Sequence, residues 1–154
     1  MRKGIKYVVP CGIWVGIIFM FSSQYFSAGN TSTVLYRWIH AFFQSFSREH
    51  FWSMHFYIRK FAHVFAYAVL TYFSFVALFK NFYIFKIKPK IRSFICVFIF
   101  CLSIAILDEY NQSHIAARTG TYKDILIDMI GVVSVQLFVL IKTSQISMFT
   151  SKKK

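Results

Sequence analysis

Four of the five acidic residues of this chain fall within one short window between two strongly apolar stretches. They are Asp108, Glu109, Asp124 and Asp128. A carboxylate at the centre of a lipid bilayer costs roughly 2.5 to 3.5 kcal/mol even on the lenient insertion scales. The window therefore predicts a polar site in which cations or bound groups offset that cost.

Residues that could pair with these carboxylates stand at the head of another apolar stretch. Arg59, His63 and Tyr67 are four residues apart, so a helix places them on one stripe, with Lys60 beside the first. Arg118 lies in the loop between the two acidic pairs. We expect these side chains to meet the carboxylates in a single pocket.

Further polar residues extend this set. Ser22, Ser23 and Gln24 close the first apolar stretch, and Gln112 shares a helical face with Asp108. The residues predicted to bind a ligand are Arg59, Lys60, His63, Tyr67, Asp108, Glu109, Gln112, Arg118, Asp124, Asp128, Ser22, Ser23 and Gln24. The candidates for catalysis are His63, Asp108, Glu109 and Asp128. No metal and no other cofactor is assigned.

Several of these residues have simpler interpretations when each is taken alone. Arg59 and Lys60 could be anchors whose charged ends reach the membrane interface. His63 could be a packing residue whose ring forms a hydrogen bond within the bundle. Asp128 has no such alternative, because it lies inside an apolar stretch. The remaining histidines are interpreted as interfacial and stay unassigned: His40, His50, His55 and His114.

Composition predicts a membrane protein. Of the 154 residues, 57% are hydrophobic and 21% aromatic, above the roughly 45 to 50% apolar share of soluble domains. The apolar runs are continuous, which favours helices over a barrel. The predicted fold is all-α, a single membrane domain over residues 1–154 built as a four-transmembrane-helix bundle. Its spans are placed at about 5–24, 59–79, 92–110 and 124–142.

The segment between the first two spans predicts an additional interfacial amphipathic helix. From Val34 its apolar residues recur at helical spacing, whereas Arg37 and Arg48 occupy the polar side. Such a helix lies flat in the outer leaflet. A lid packed over the mouth of the bundle is the alternative.

Two local patterns concern helix ends and helix contacts. Thr121 followed three residues later by Asp124 is typical of a capping box that opens the fourth span. Gly12 and Gly16 form a G-x-x-x-G face in the first span. Such a face predicts the close approach of another helix.

The net charge of +13 suggests nucleic-acid binding only until its placement is considered. Twelve of the 18 Lys and Arg residues lie at the N-terminus, in the loop after the second span and in the C-terminal tail. The positive-inside rule puts these three regions in the cytoplasm. We therefore expect a multi-pass protein of the cell membrane with both termini cytoplasmic, the bilayer as its partner and no nucleic acid. The N-terminal run is similar to a signal peptide, but we expect it to be retained.

The motifs, read in order, resemble the VanZ-like family of small bacterial membrane proteins. They are Phe21-Ser22-Ser23-Gln24, Arg59-Lys60-x-x-His63-x-x-x-Tyr67, Asp108-Glu109-x-x-Gln112, Arg118, Asp124, Asp128 and Gly131. The resemblance implies an integral protein of the bacterial envelope. The family's namesake is linked to resistance to teicoplanin, a lipid-bearing glycopeptide antibiotic, but the family implies no particular reaction.

Three functions remain open. The leading one is action at the outer membrane face on an amphipathic anionic envelope molecule, such as a lipid-linked cell-wall precursor or a glycopeptide, with Arg59, Lys60 and Arg118 holding its headgroup. The second is a membrane-embedded hydrolase or transferase that uses His63 and the acidic cluster, with His63 as general base or as ligand of a divalent metal. The third is a proton or ion pathway through Asp128.

Overall fold

The structure is a computed structural model that describes residues 2–42, 47–78, 91–115 and 121–151. Its elements are α1 (Arg2–Phe21), a short 3-10 turn (Gln24–Phe26), α2 (Ala28–Phe42), α3 (Arg48–Leu78), α4 (Ile91–Ser113) and α5 (Tyr122–Ser151). No strand occurs within the described ranges. The all-α class predicted from the apolar runs is confirmed.

Three helices are long and apolar enough to cross a membrane, namely α3, α4 and the part of α5 up to Ser144. A fourth span results if α1 and the following helical segment Gln24–Phe42, which bend by 63° relative to each other, are counted together. The chain is thus a multi-pass membrane protein by the length and composition of its helices. The flat, interfacial position of α2 stays a prediction.

The helix α3 begins earlier than the second predicted span. Residues 48–57, expected to lie in the outer segment, continue the same helix as the apolar residues after them. Ser47 starts it, because its Oγ accepts a hydrogen bond from the backbone N–H of His50 at 3.4 Å and Glu49 lies in the first turn. A serine cap and an early carboxylate both stabilise a helix N-terminus. The helix α2 likewise begins at Ala28, six residues before the periodicity that predicted it.

The bundle is organised around α3, which packs along α5 and α1, while α4 packs against α5 and α3. Gly131 permits the contact between α3 and α5, because a Cβ atom there would collide with the carbonyl oxygen of Val64 and lie 3.0 Å from the amide nitrogen of Ala68. Small residues allow this approach between membrane helices, where van der Waals packing replaces the hydrophobic driving force. The fully buried residues of the core include Leu70 and Val132.

The outer surface of the bundle is apolar, as lipid contact requires. Large hydrophobic side chains exposed on it include Ile13, Phe61, Ile95, Ile99, Leu126 and Ile130. The predicted G-x-x-x-G contact is wrong within the described chain. A Cβ atom at Gly12 or at Gly16 would meet nothing within 4 Å, because the neighbouring helices pack on other faces of α1.

Candidate functional site

A cavity of about 400 Å³ lies between α1, α2 and α3. The predicted stripe on α3 forms one wall of it, since Arg59, His63 and Tyr67 all line the cavity. Asp108 reaches the same cavity from α4, and Ser22 reaches it from the end of α1. Four-residue spacing on one helix was therefore sufficient to place three predicted residues on a common surface.

Most of the remaining wall is aromatic or aliphatic. The apolar lining residues are Trp14, Ile17, Ile18, Phe21, Phe26, Leu35, Ile58, Ala62, Phe65 and Ala66. Trp14 also ties α1 to α3, because its indole N–H donates a hydrogen bond to the carbonyl of Ala66 at 2.9 Å. The cavity thus combines an apolar body with a few polar groups, the usual composition of a small-molecule site.

The guanidinium of Arg59 is half-buried in this wall. It donates a hydrogen bond to the carbonyl of Phe26 at 3.4 Å. Among the described residues no carboxylate lies within ion-pair distance of Arg59, because Asp124 and Asp128 pair with Lys60 and His63. Asp124 interacts with Arg59 electrostatically from a greater distance.

Behind the cavity wall, His63 contacts carboxylates from two other helices. Its Nδ1 lies 3.0 Å from Oδ1 of Asp128 on α5. Glu109 of α4 completes a cluster in which one potential ligand atom from each residue lies within 4.8 Å of the other two. Glu109 is 4% exposed and Asp128 is 0% exposed. The cluster therefore joins α3, α4 and α5 at a point shielded from lipid.

Asp124 lies one turn before Asp128 and makes separate contacts. It forms an ion pair with Lys60, which ties the N-terminus of α5 to α3. The predicted capping box is wrong in its hydrogen bonding. Thr121 Oγ1 donates to Oδ2 of Asp124 at 3.2 Å, but the Thr121 backbone N–H donates to Oε2 of Glu109 at 2.9 Å. A carboxylate of α4 thus takes the donor that a capping box would reserve for Asp124.

A chain of hydrogen bonds joins the ends of α1 and α4. The side-chain amide of Gln112 donates to Oγ of Ser22 and to Oδ2 of Asp108, each at 3.0 Å. All three residues are buried. Ser23 and Gln24 follow Ser22 in sequence but do not line the cavity among the described residues, because the chain turns there into the 3-10 segment. Arg118 lies outside the described residues.

His55 lines the cavity, although sequence reasoning left it unassigned. It is 5% exposed, with its Nε2 3.5 Å from Oγ1 of Thr31 on α2. The signal was present, because His55 lies four residues before Arg59 and so extends the same stripe by one turn. It was missed because residues 48–57 were expected to lie outside the second span.

Comparison with known proteins identifies the family of this chain. Searches of curated proteins and of solved structures found no match. A family model described as VanZ/LLP1 matches residues 7–143, which include every residue of the cavity and of the clusters described above. The chain therefore belongs to the VanZ-like family.

Proposed function

We propose that this protein binds an amphipathic, anionic molecule of the bacterial envelope in the cavity between α1, α2 and α3. Arg59 holds a phosphate or carboxylate of the headgroup, and the aromatic and aliphatic wall receives the adjoining part of the lipid. A lipid-linked cell-wall precursor and a lipid-bearing glycopeptide of the teicoplanin type both have this chemistry.

The position of Arg59 is the observation that carries this proposal. A guanidinium has five N–H donors, and the Phe26 carbonyl accepts a hydrogen bond from Nη1. A half-buried cation in a largely apolar wall is costly unless an anion or several acceptors approach it. An anionic headgroup in the cavity supplies both the charge and the acceptor atoms.

The apolar wall supports a lipid-bearing ligand over a small polar anion. The cavity volume of about 400 Å³ lies within the usual range of roughly 300 to 1,000 Å³ for small-molecule sites. Ten of the 17 lining residues have aromatic or aliphatic side chains. Among these ten, only the Trp14 side chain forms a hydrogen bond described above. A hydrated ion such as free phosphate would gain little from such a surface.

We place the cavity at the outer membrane face, with both termini in the cytoplasm. The basis is the distribution of Lys and Arg over the two terminal regions and the loop after α3. A reporter protein that is active only in the cytoplasm should be active when it is fused to either terminus, and a reporter that is active only outside the cell should be inactive at both. Activity of either fusion as an external marker would reverse the orientation and place the cavity mouth inside the cell.

The binding experiment uses the purified full chain in detergent and phosphatidic acid as the probe, with phosphatidylcholine of the same acyl chains for comparison. Losing a charge-assisted hydrogen bond costs about 1.5 to 3 kcal/mol, so Arg59→Gln should weaken phosphatidic acid binding by roughly ten- to a hundredfold. Arg59→Lys should recover only part of the loss, because an ammonium lacks the planar fork of a guanidinium.

The matched control is Arg92→Gln, which removes an exposed arginine near the start of α4. It should leave phosphatidic acid binding near the wild-type value. Equal losses for Arg59→Gln and Arg92→Gln would show that total charge governs lipid binding, and the proposal would fail. Phosphatidylcholine binding should be the same in all variants.

The glycopeptide form of the proposal is tested in cells. Expression in a teicoplanin-susceptible Gram-positive host should raise the inhibitory concentration of teicoplanin, and Arg59→Glu should abolish that protection when the variant reaches the membrane in equal amount. Arg118→Glu, from the loop between the acidic pairs, should do the same. Full protection by both variants contradicts this form.

A hydrolase or transferase that acts on the same headgroup is the second candidate, favoured by the position of His63. Its ring lines the cavity, while Asp128 lies 3.0 Å from Nδ1. A carboxylate on one ring nitrogen fixes the tautomer, so that the other nitrogen can act as a general base. Turnover of a phosphate-bearing lipid by the wild type that His63→Gln abolishes would favour catalysis, and its absence from the wild type would exclude this candidate.

A further inference from the structure

We infer that His63, Glu109 and Asp128 form a binding site for one divalent cation of the zinc type. The three residues come from α3, α4 and α5, and one potential ligand atom from each lies within 4.8 Å of the other two. Glu109 and Asp128 are not among the residues of the cavity wall. The inference therefore stands independently of the binding of an amphiphile.

The buried carboxylates have oxygens that the described residues do not satisfy. Oε1 of Glu109 and Oδ2 of Asp128 are buried and lack a hydrogen-bond partner among the described residues. Both side chains are at least nine-tenths buried, at 4% and 0% exposure. A buried acceptor without a donor costs about 1 to 3 kcal/mol, and more when it is charged. A cation between the two carboxylates removes that cost at both oxygens.

Charge balance supports a divalent ion. A neutral imidazole at His63 and the ionised carboxylates of Glu109 and Asp128 carry a net charge of two negative units, which one divalent cation cancels. The buried carboxyl of Asp108 interacts electrostatically with His63 and Asp128 and favours a cation at this point further. The nearby pair of Lys60 and Asp124 is already matched internally. Buried charge is tolerated in a membrane protein mainly where it is paired or lines an aqueous path, so an ion at this point satisfies the requirement within the bundle.

The distances allow metal coordination once the cluster closes by up to about 1.5 Å. Nδ1 of His63 and Oδ1 of Asp128 share a hydrogen bond at 3.0 Å. Zinc at Nδ1 replaces this bond, with the ring proton on Nε2, and Asp128 can then bind the ion through both of its carboxylate oxygens. Zinc bonds to nitrogen and oxygen are about 2.0 to 2.2 Å long, so two ligands of a tetrahedral ion lie roughly 3.3 to 3.6 Å apart. A pair at the upper limit of 4.8 Å therefore closes by up to about 1.5 Å when the ion binds.

The ligand set favours zinc over the hard cations. Calcium and magnesium prefer oxygen ligands throughout, whereas imidazole suits zinc and its neighbours in the first transition series. Three protein ligands are the number that zinc sites use when a fourth position stays open. With an ion bound, His63 serves as a ligand and not as a general base.

The test measures zinc in the purified full chain after any affinity tag has been removed and the protein has been treated with a chelator. Dialysis against zinc should give one ion per chain, and X-ray absorption should show nitrogen and oxygen neighbours only. Glu109→Gln and Asp128→Asn, which keep the side-chain shape, should each weaken zinc binding at least tenfold. Glu49→Gln removes an exposed carboxylate in the first turn of α3 and should match the wild type.

Several results would overturn the inference. One is a wild type that takes up less than a stoichiometric amount of zinc and shows no rise in melting temperature on zinc addition. This result does not depend on the folding of any variant. Another is equal zinc binding by Glu109→Gln and Glu49→Gln. Stoichiometric manganese without zinc would overturn the zinc assignment. Phosphatidic acid binding by the chelator-treated wild type separates the two proposals. If the zinc site does not exist but the cavity binds an anionic lipid, the protein still binds phosphatidic acid.

Discussion

Nδ1 of His63 lies 3.0 Å from Oδ1 of Asp128, across the contact between α3 and α5 and 65 positions away in the chain. The contact depends on Gly131, less than one turn after Asp128, which lets the backbone of α5 approach Val64 of α3. The chemistry of the site and the packing of the bundle are therefore linked. A residue that separates the two helices should also separate the imidazole from the carboxylate.

Gly131→Ala should destabilise the protein by about 1 to 3 kcal/mol, the usual cost of forcing extra volume into a packed interior. The added Cβ atom would collide with the backbone carbonyl of Val64, and backbone cannot move aside as the end of a flexible side chain can. The measurement is thermal unfolding of the purified protein in a single detergent.

Gly16→Ala is the matched control, because a Cβ atom there would meet nothing within 4 Å. In a helix interior alanine is favoured over glycine by roughly 1 kcal/mol, so this variant should be neutral or slightly stabilising. Equal destabilisation by the two substitutions would mean that α3 and α5 do not approach each other at Gly131.

The hydrogen bond from Gln112 to Ser22 should couple α1 to α4. A double-mutant cycle with Ser22→Ala and Gln112→Leu isolates this pair. Hydrogen bonds between membrane helices average about 0.6 kcal/mol and reach about 1.7, and we expect a coupling in that range because both residues are buried. Additive effects on unfolding, with no coupling free energy, would show that the bond is not formed in the membrane-bound protein.

The ion pair of Lys60 with Asp124 should tolerate exchange of its two partners. Lys60→Glu brings a carboxylate against Asp124 and should lower stability by about 1.5 to 3 kcal/mol, the range for hydrogen bonds to charged groups. The double variant Lys60→Glu with Asp124→Lys should recover most of the loss in the same unfolding assay. A double variant less stable than Lys60→Glu alone would contradict this pairing.

Helical periodicity was sufficient to predict which residues of α3 share one surface. Three residues spaced by four on an apolar stretch had to share a face, and Arg59, His63 and Tyr67 do line one cavity. The start of α3 could not be predicted in the same way. It is set by a single capping residue, Ser47, and the residues that follow include charged ones, so no apolar run marks it. Missing that cap also concealed His55, one turn further along the stripe.

The pairing of charges depends on the register between helices, which one sequence does not encode in any local pattern. Sequence reasoning placed Asp124 and Asp128 in one polar pocket without deciding which cation each would contact. The close approach at Gly131 sets that register, so that Lys60 meets Asp124 and His63 meets Asp128. The capping box failed for a related reason, because the backbone N–H of Thr121 is bonded by Glu109 from α4.

The most direct test of the proposed binding function is a structure of the full chain crystallised from lipid that contains brominated phosphatidic acid. We predict a phosphate within about 2.7 to 3.2 Å of the Arg59 guanidinium, and anomalous bromine signal along the apolar wall formed mainly by α1 and α3. A cavity without lipid, with every ordered phosphate on the outer surface of the bundle and away from Arg59, would contradict the account.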